Sequence, residues 1–311
     1  MVVLVLVLAA ADLLTGGVSL SFRELFDPAN PVAQSILLKI RLPRLVCATL
    51  SGAALALAGC QMQAVFRNPL ADPHILGISS GAGLGAALAA AGTIGAGALT
   101  ITSASFAGAA IASLGIVAVS ARFKGMTTLL IFGVLLGFVF SAVTTLCQYF
   151  SSEESLKLYH SWVSGSFASC SWTGVIWIAA ALAAGLALFA RNAHGLDIIL
   201  FGDEYAASLG AKPGAIRLRA ILSCCLITAA VTAFCGPIGF VGIIAPHLCR
   251  SACGTAVHSR LWLPVMLAGA VLALLSDVIS QCFSVPLPSG ATMALTGIPV
   301  IMYLLLGKKL W

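Results

Sequence analysis

Residues able to do chemistry are few in this 311-residue chain, and they are badly placed for it. The five histidines, His74, His160, His194, His247 and His258, all fall near the ends of long apolar runs. A haem centre in a membrane would need histidines that face each other within such runs. Most of the ten cysteines (Cys47, Cys60, Cys147, Cys170, Cys224, Cys225, Cys235, Cys249, Cys253 and Cys282) lie inside apolar runs, and none forms a CxxC pair. The nearest approach to a ligand set is His247, Cys249 and Cys253. We expect no metal there and read cysteine as a small apolar side chain. No Gly-x-x-x-x-Gly-Lys-Ser/Thr phosphate loop occurs, so any ATP hydrolysis belongs to a partner. No catalytic residue is expected, and the chain is not read as an enzyme. One carboxylate, Asp277, stands in an apolar run, where an ionisable group is costly and functional by default. Near the outer end of its run, it is equally consistent with a group that faces water.

The elements that hold these residues are membrane spans. Charged residues are 8% of the chain and hydrophobic ones 60%, with a mean hydropathy of +1.08, whereas a soluble domain carries about 25% charged residues. Charge-free runs such as Pro73–Ala121 and Ala220–Cys249 are long enough for helices of about 20 residues to cross a bilayer. They lack the polar–apolar alternation of a membrane barrel. The expected fold is all-α with ten transmembrane helices in a single domain: Met1–Ser19, Leu45–Phe66, Ile75–Ala91, Thr100–Ser120, Thr127–Phe150, Trp172–Ala190, Leu218–Phe234, Gly239–Cys253, Leu261–Cys282 and Thr292–Leu306. The first span begins abruptly and lacks the basic start of a signal peptide, so we expect a few further residues upstream.

Basic residues mark the topology. With the N-terminus inside, the inner loops carry Arg67, Arg122, Lys124, Arg191, Lys212, Arg217, Arg219, Arg250, Arg260, Lys308 and Lys309, against Arg23, Lys39, Arg41, Arg44 and Lys157 outside. The excess places both termini in the cytoplasm. The net charge of +6 is scattered between apolar runs and does not form a nucleic-acid stripe. Two loops are long. The outer one, about 20–44, is expected to form surface structure. The inner one, about 191–217, contains Gly202-Asp203-Glu204-Tyr205-Ala206-Ala207-Ser208-Leu209-Gly210, a short helix with acids at its start and glycine at its end.

Two Gly/Pro-rich patches interrupt the helices: Asn68-Pro69-Leu70-Ala71-Asp72-Pro73-His74-Ile75-Leu76-Gly77, and Gly236-Pro237-Ile238-Gly239-Phe240 running on to Pro246-His247. Irregular backbone at membrane depth must be buried in protein or line a watery cavity, and breaks in corresponding places of two halves point to a transport path. Gln61 and Gln63, in the second span, either line such a path or join helices.

These patches also carry a resemblance. Arg41-Leu42-Pro43-Arg44, Gly59-Cys60-Gln61-Met62-Gln63, the Asn68–Pro73 stretch, Trp162-Val163-Ser164-Gly165-Ser166, Leu200-Phe201-Gly202-Asp203-Glu204, Gly236–Arg250, and Leu287-Pro288-Ser289-Gly290 with Gly297-Ile298-Pro299 are similar to the permeases of ABC importers for iron-siderophores, haem and cobalamin, the FecCD family. They follow the family's order across nearly the whole chain. The resemblance implies a homodimer of ten-helix subunits in the bacterial cytoplasmic membrane, with the path along the dimer interface. ATP and Mg²⁺ would be held by two partner ATPases, with no cofactor in this subunit. It implies an ATPase-coupling role for Gly202, Asp203, Glu204, Ala206, Leu209 and Gly210, and docking of an extracytoplasmic substrate-binding protein on Arg41 and Arg44. The residues read as a candidate translocation path or gate are Gln61, Gln63, Asn68, Pro69, Gly165, Gly236, Pro237, Gly239 and Pro246. The chain departs from the family at Gln281, where arginine is common, at Pro286, where glutamate is common, and in its short N-terminus. The expected cargo is an iron chelate, siderophore or haem, with cobalamin as the alternative. An ion-coupled transporter would need buried carboxylates, and only Asp277 is available.

Overall fold

A computed structural model describes residues 1–16, 30–92, 98–123, 125–283 and 285–306. Among these, every regular element is helical: α1 (Val2–Leu14), α2 (Pro31–Phe66), α3 (Ile78–Ala90), α4 (Ala98–Arg122), α5 (Met126–Tyr149), α6 (Glu153–Val163), α7 (Trp172–Ala190), α8 (Ala193–Ile199), α9 (Asp203–Ser208), α10 (Pro213–Cys235), α11 (Val241–Cys253), α12 (His258–Gln281) and α13 (Ser289–Leu306). Each of the ten expected spans has its helix. Six of these are long and apolar enough to cross a membrane; α1, α3 and α13 are shorter apolar helices, and α11 follows the second break.

Helix α2 is longer than its apolar run suggests. The Asn30 side chain accepts a hydrogen bond from the Ala33 N–H at 3.1 Å, and Pro31 sits in the first turn, the combination that starts helices. The backbone then widens into a π-helical turn over Leu37–Arg41 just before Pro43, which accommodates a proline ring inside a helix. The expected outer surface segment is therefore corrected: from residue 31 onward it is the first part of α2, while residues 20–29 of it lie outside the described set.

The core is built on α2, against which α10, α11 and α12 pack. Small residues allow the approach. A Cβ on Gly59 would stand 2.0 Å from the Gly242 carbonyl oxygen, and one on Gly52 would stand 2.3 Å from that of Gly269. Such close packing is how helices associate where lipid removes the hydrophobic drive. Peripheral helices behave differently: Phe138, Leu146, Leu114 and Ile176 are all more than half exposed, as lipid-facing side chains must be.

Candidate functional site

Helices α3 and α11, each of 13 residues, rise about 20 Å at 1.5 Å per residue, short of a hydrocarbon core about 30 Å thick. The two irregular patches make up the difference, and they meet. Asp72 caps the 3₁₀ turn Pro73–Leu76 by accepting from the His74 N–H at 2.8 Å, and His74 Nε2 lies 2.9 Å from the Ile238 carbonyl oxygen, across 164 residues of sequence. Gly242 is hemmed in by Asp72 and Pro73, where an added Cβ would stand 3.2 and 3.0 Å from their side chains. The break before α3 and the break before α11 thus form one irregular seam inside the bundle, as backbone at that depth requires. Pro246 is buried in α11, and Gly239 has open space beside it. Beside the seam lies a cavity of about 320 Å³ whose lining includes Ser79, Ser80, Ser141, Thr145, Gln148 and Pro237.

The glutamines join helices. Gln61 Nε2 donates to Ser223 Oγ at 2.9 Å, bridging α2 to α10. Gln63 Nε2 donates to the Gly242 carbonyl at 3.2 Å while its Oε1 accepts from Arg250, bridging α2 to α11. Both are buried, which places them in the joining role and not on an open face of this subunit.

At one end of the bundle three of the sequence patches converge. Ser166 N donates to the Cys235 carbonyl at 2.8 Å, and Ser289 N donates to the Gly165 carbonyl at 2.9 Å. Gly165 and Gly236 both adopt positive φ, and a Cβ on Gly236 would stand 2.3 Å from the Trp162 carbonyl oxygen. No other residue type fits that position.

The opposite end carries α9. Gly202 (φ +118°) and Gly210 (φ +78°) bound it. Asp203 accepts from Arg67 at 2.6 Å and also from Arg217, while Arg67 Nε donates to the Ile199 carbonyl at 2.9 Å. This clamp ties α9 to the C-terminus of α2, immediately before Asn68 and Pro69, and to the start of α10. Asn68 is exposed, and its side chain accepts from the Leu70 N–H at 2.9 Å. Ala206, expected to take part in coupling, faces inward at 0% exposure. The outward stripe is Phe201, Tyr205 and Leu209, spaced four residues apart and 76%, 51% and 58% exposed. Sequence reasoning missed Phe201 and Tyr205, although an i, i+4, i+8 apolar spacing was there to read.

Arg41 and Arg44 do not stand free on the surface. Arg44 makes a two-point ion pair with Asp277, at 2.7 and 2.8 Å, and Asp277 is 0% exposed. Arg41 is buried and donates to the Leu13 carbonyl. Gln281 Nε2 donates to Asp12 at 2.7 Å and to Asp277 at 3.3 Å, so the departure at that position completes an internal polar cluster. The reading of Asp277 as a water-facing group is corrected: α12 and α2 hold it between them. Pro286 is exposed.

The FecCD transport family profile matches residues 2–307. The Hemin transport system permease protein HmuU of Yersinia pestis is 32% identical over 99% of this chain and 95% of its own. The Vitamin B12 import system permease protein BtuC of Citrobacter koseri is 37% identical over 87% and 83%. A metal-chelate type ABC transporter in an inward-facing conformation superposes with a TM-score of 0.86 at 31% identity, covering 98% of both chains. PsaBC from Streptococcus pneumoniae shares the fold alone, with a TM-score of 0.52 at 15% identity. The chain belongs to the FecCD transport family and is a polytopic membrane permease of a type II ABC importer.

Proposed function

We propose that this permease carries an iron chelate, a siderophore complex or haem, across the bacterial cytoplasmic membrane as a homodimer, with both termini inside. Two separate ATPases, holding ATP and Mg²⁺, dock on α9, and an extracytoplasmic binding protein delivers the cargo at the opposite end. The observation that carries the reading is the clamp of Asp203 on Arg67 and Arg217. It links an exposed apolar stripe, apt for a partner, to the seam where the two breaks meet. Movement of α9 pulls on the end of α2 and the start of α10, and so on Asn68, Pro69 and, at the far end of α10, Gly236 and Pro237. The hydroxyl-lined cavity beside Pro237 faces cargo in this scheme, and Gly165 and Gly239 give the seam room to shift. An iron chelate is put first because similarity to the hemin permease spans 99% of the chain; the vitamin B12 permease, 37% identical over 87%, keeps cobalamin as the alternative.

Within this proposal the docking role of Arg44 changes. An exposed docking contact is worth about 0–1 kcal/mol, and loss of a buried partner costs about 3–5 kcal/mol. Arg44 therefore acts as a strut between α2 and α12, and docking falls to other groups at that end. The test is reconstitution with the ATPase and binding protein in liposomes, with haem, a ferric siderophore and cobalamin offered separately. ATP-dependent accumulation of one of the iron chelates is expected. Accumulation of cobalamin alone would overturn the cargo, and uptake without the ATPase would overturn the coupling.

A further inference from the structure

Three cysteines far apart in sequence converge at the end of the bundle opposite α9. Cys47 lies in α2, Cys170 in the loop before α7, and Cys235 is the last residue of α10. Their sulfurs all lie within 4.8 Å of one another, and Cys47 Sγ is 3.2 Å from Cys235 Sγ. The loop is built to deliver its thiol. Ser166 N donates to the Cys235 carbonyl at 2.8 Å, and Phe167 is fully buried beneath the loop. Gly174 of α7 leaves the space that the sulfur fills, since a Cβ there would stand 2.7 Å from Cys170 Sγ. Among the described residues, Ser51 is a further polar side chain against the group, its Oγ 3.8 Å from Cys47 Sγ and 3.6 Å from Cys235 Sγ. A cavity of about 430 Å³, whose lining includes Ser166, Ser169, Ser171 and Thr173 beside Ile101, Trp162 and Phe234, reaches Cys235.

We propose that Cys47, Cys170 and Cys235 form a three-sulfur binding site for a soft, thiophilic monovalent cation of the Cu(I) class. A triangle with one edge of 3.2 Å and the others no longer than 4.8 Å has a centre about 2.6 Å or less from each corner, close to the ~2.3 Å of a metal–thiolate bond. An all-sulfur donor set excludes Mg²⁺ and Ca²⁺, which take oxygen, and three donors without a strong fourth favour Cu(I) over tetrahedral Zn²⁺. Metal-bound sulfur is thiolate, so each cysteine that ligates gives up its proton. A cation held by all three sulfurs releases three protons and leaves the group with a charge of −2, toward which the Ser51 hydroxyl, 3.8 and 3.6 Å from two of the sulfurs, can donate. The site adjoins the start of the second break, since Cys235 directly precedes Gly236, and lies at the end of the bundle opposite α9.

The test uses the full-length, reduced protein in detergent under argon, with the more accessible thiols removed by Cys147→Ser, Cys253→Ser and Cys282→Ser. Cu(I) is offered in competition with bicinchoninate, and copper-edge X-ray absorption reads the ligands. One Cu(I) per chain is expected, with three sulfurs at about 2.3 Å. Adding Cys170→Ala should leave two sulfurs and weaken retention about 10-fold or more, and Cys47→Ala with Cys235→Ala should weaken it about 100-fold or more. If those alanine variants do not fold, the absorption spectrum of the parent decides by itself. No retention against the chelator, oxygen or nitrogen ligands in place of sulfur, or retention indifferent to these substitutions would overturn the site. So would a Cys47–Cys235 disulfide in protein trapped with alkylating agent directly from the membrane.

Discussion

Replacement of Asp277 by asparagine removes one charge from a pair that the fold has sealed. Arg44 donates to Asp277 through Nε and Nη2 at 2.7 and 2.8 Å, with the arginine side chain 12% exposed and the aspartate 0%. The substituted amide would keep one acceptor oxygen but turn its N–H donors toward a guanidinium, leaving Asp12, tied into the cluster through Gln281, as the remaining carboxylate near that cation. Breaking a buried pair in this way costs about 3–5 kcal/mol, a large share of the about 5–15 kcal/mol that holds a typical domain together. The double variant Arg44→Met with Asp277→Leu removes both charges and fills similar volume. It should recover most of the loss, since apolar replacements of buried pairs are neutral or stabilising by about 1–4 kcal/mol. The assay is equilibrium unfolding in mixed micelles of wild type, Asp277→Asn, Arg44→Met and the double variant, closed as a double-mutant cycle. If Asp277→Asn falls within about 1 kcal/mol of wild type, or the double variant is no more stable than the worse single one, the strut is refuted and Arg44 returns to the pool of docking residues.

Charges placed on the outward stripe, Tyr205→Glu with Leu209→Glu, should abolish stimulation of the ATPase by binding protein and cargo while stability stays within about 0.5 kcal/mol. Ala206→Leu, on the inward side, should instead cost about 1–3 kcal/mol by overpacking, read from the same unfolding curves. Asp203→Asn loosens two arginines at once; a loss of about 1–3 kcal/mol is expected together with ATP hydrolysis no longer tied to uptake, measured as cargo moved per ATP. Gly59→Ala puts a methyl 2.0 Å from the Gly242 carbonyl and should reduce the yield of monodisperse protein sharply. Gly239→Ala, with nothing within 4 Å, should be nearly silent in that yield. Equal yields from the two would show that the α2–α11 contact is looser than described.

Six of the spans were readable because lipid imposes one simple demand, about 20 apolar residues per crossing, which those helices meet locally, while α1, α3, α11 and α13 fall short of it. The two breaks were readable for the same reason, since glycine and proline declare themselves in short windows. Helix α6 escaped that search. It is amphipathic and belongs to no apolar run, although Ser152, whose side chain accepts from Ser155 N, and the acids Glu153 and Glu154 mark its start. The first part of α2 escaped as well, because Lys39, Arg41 and Arg44 look like a loop until their partners are known.

Sequence alone determined that this chain lives in a membrane, where its helices run, and where its backbone must break, because each of these follows from residues within a few turns of one another. Tertiary structure alone decided that the two breaks meet through His74 and Ile238, that Arg44 is matched by Asp277, and that Cys47, Cys170 and Cys235 share one corner. Those pairings span up to 233 residues. They depend on which helix faces lie together, a choice that small residues such as Gly52 and Gly59 permit and that no local propensity encodes.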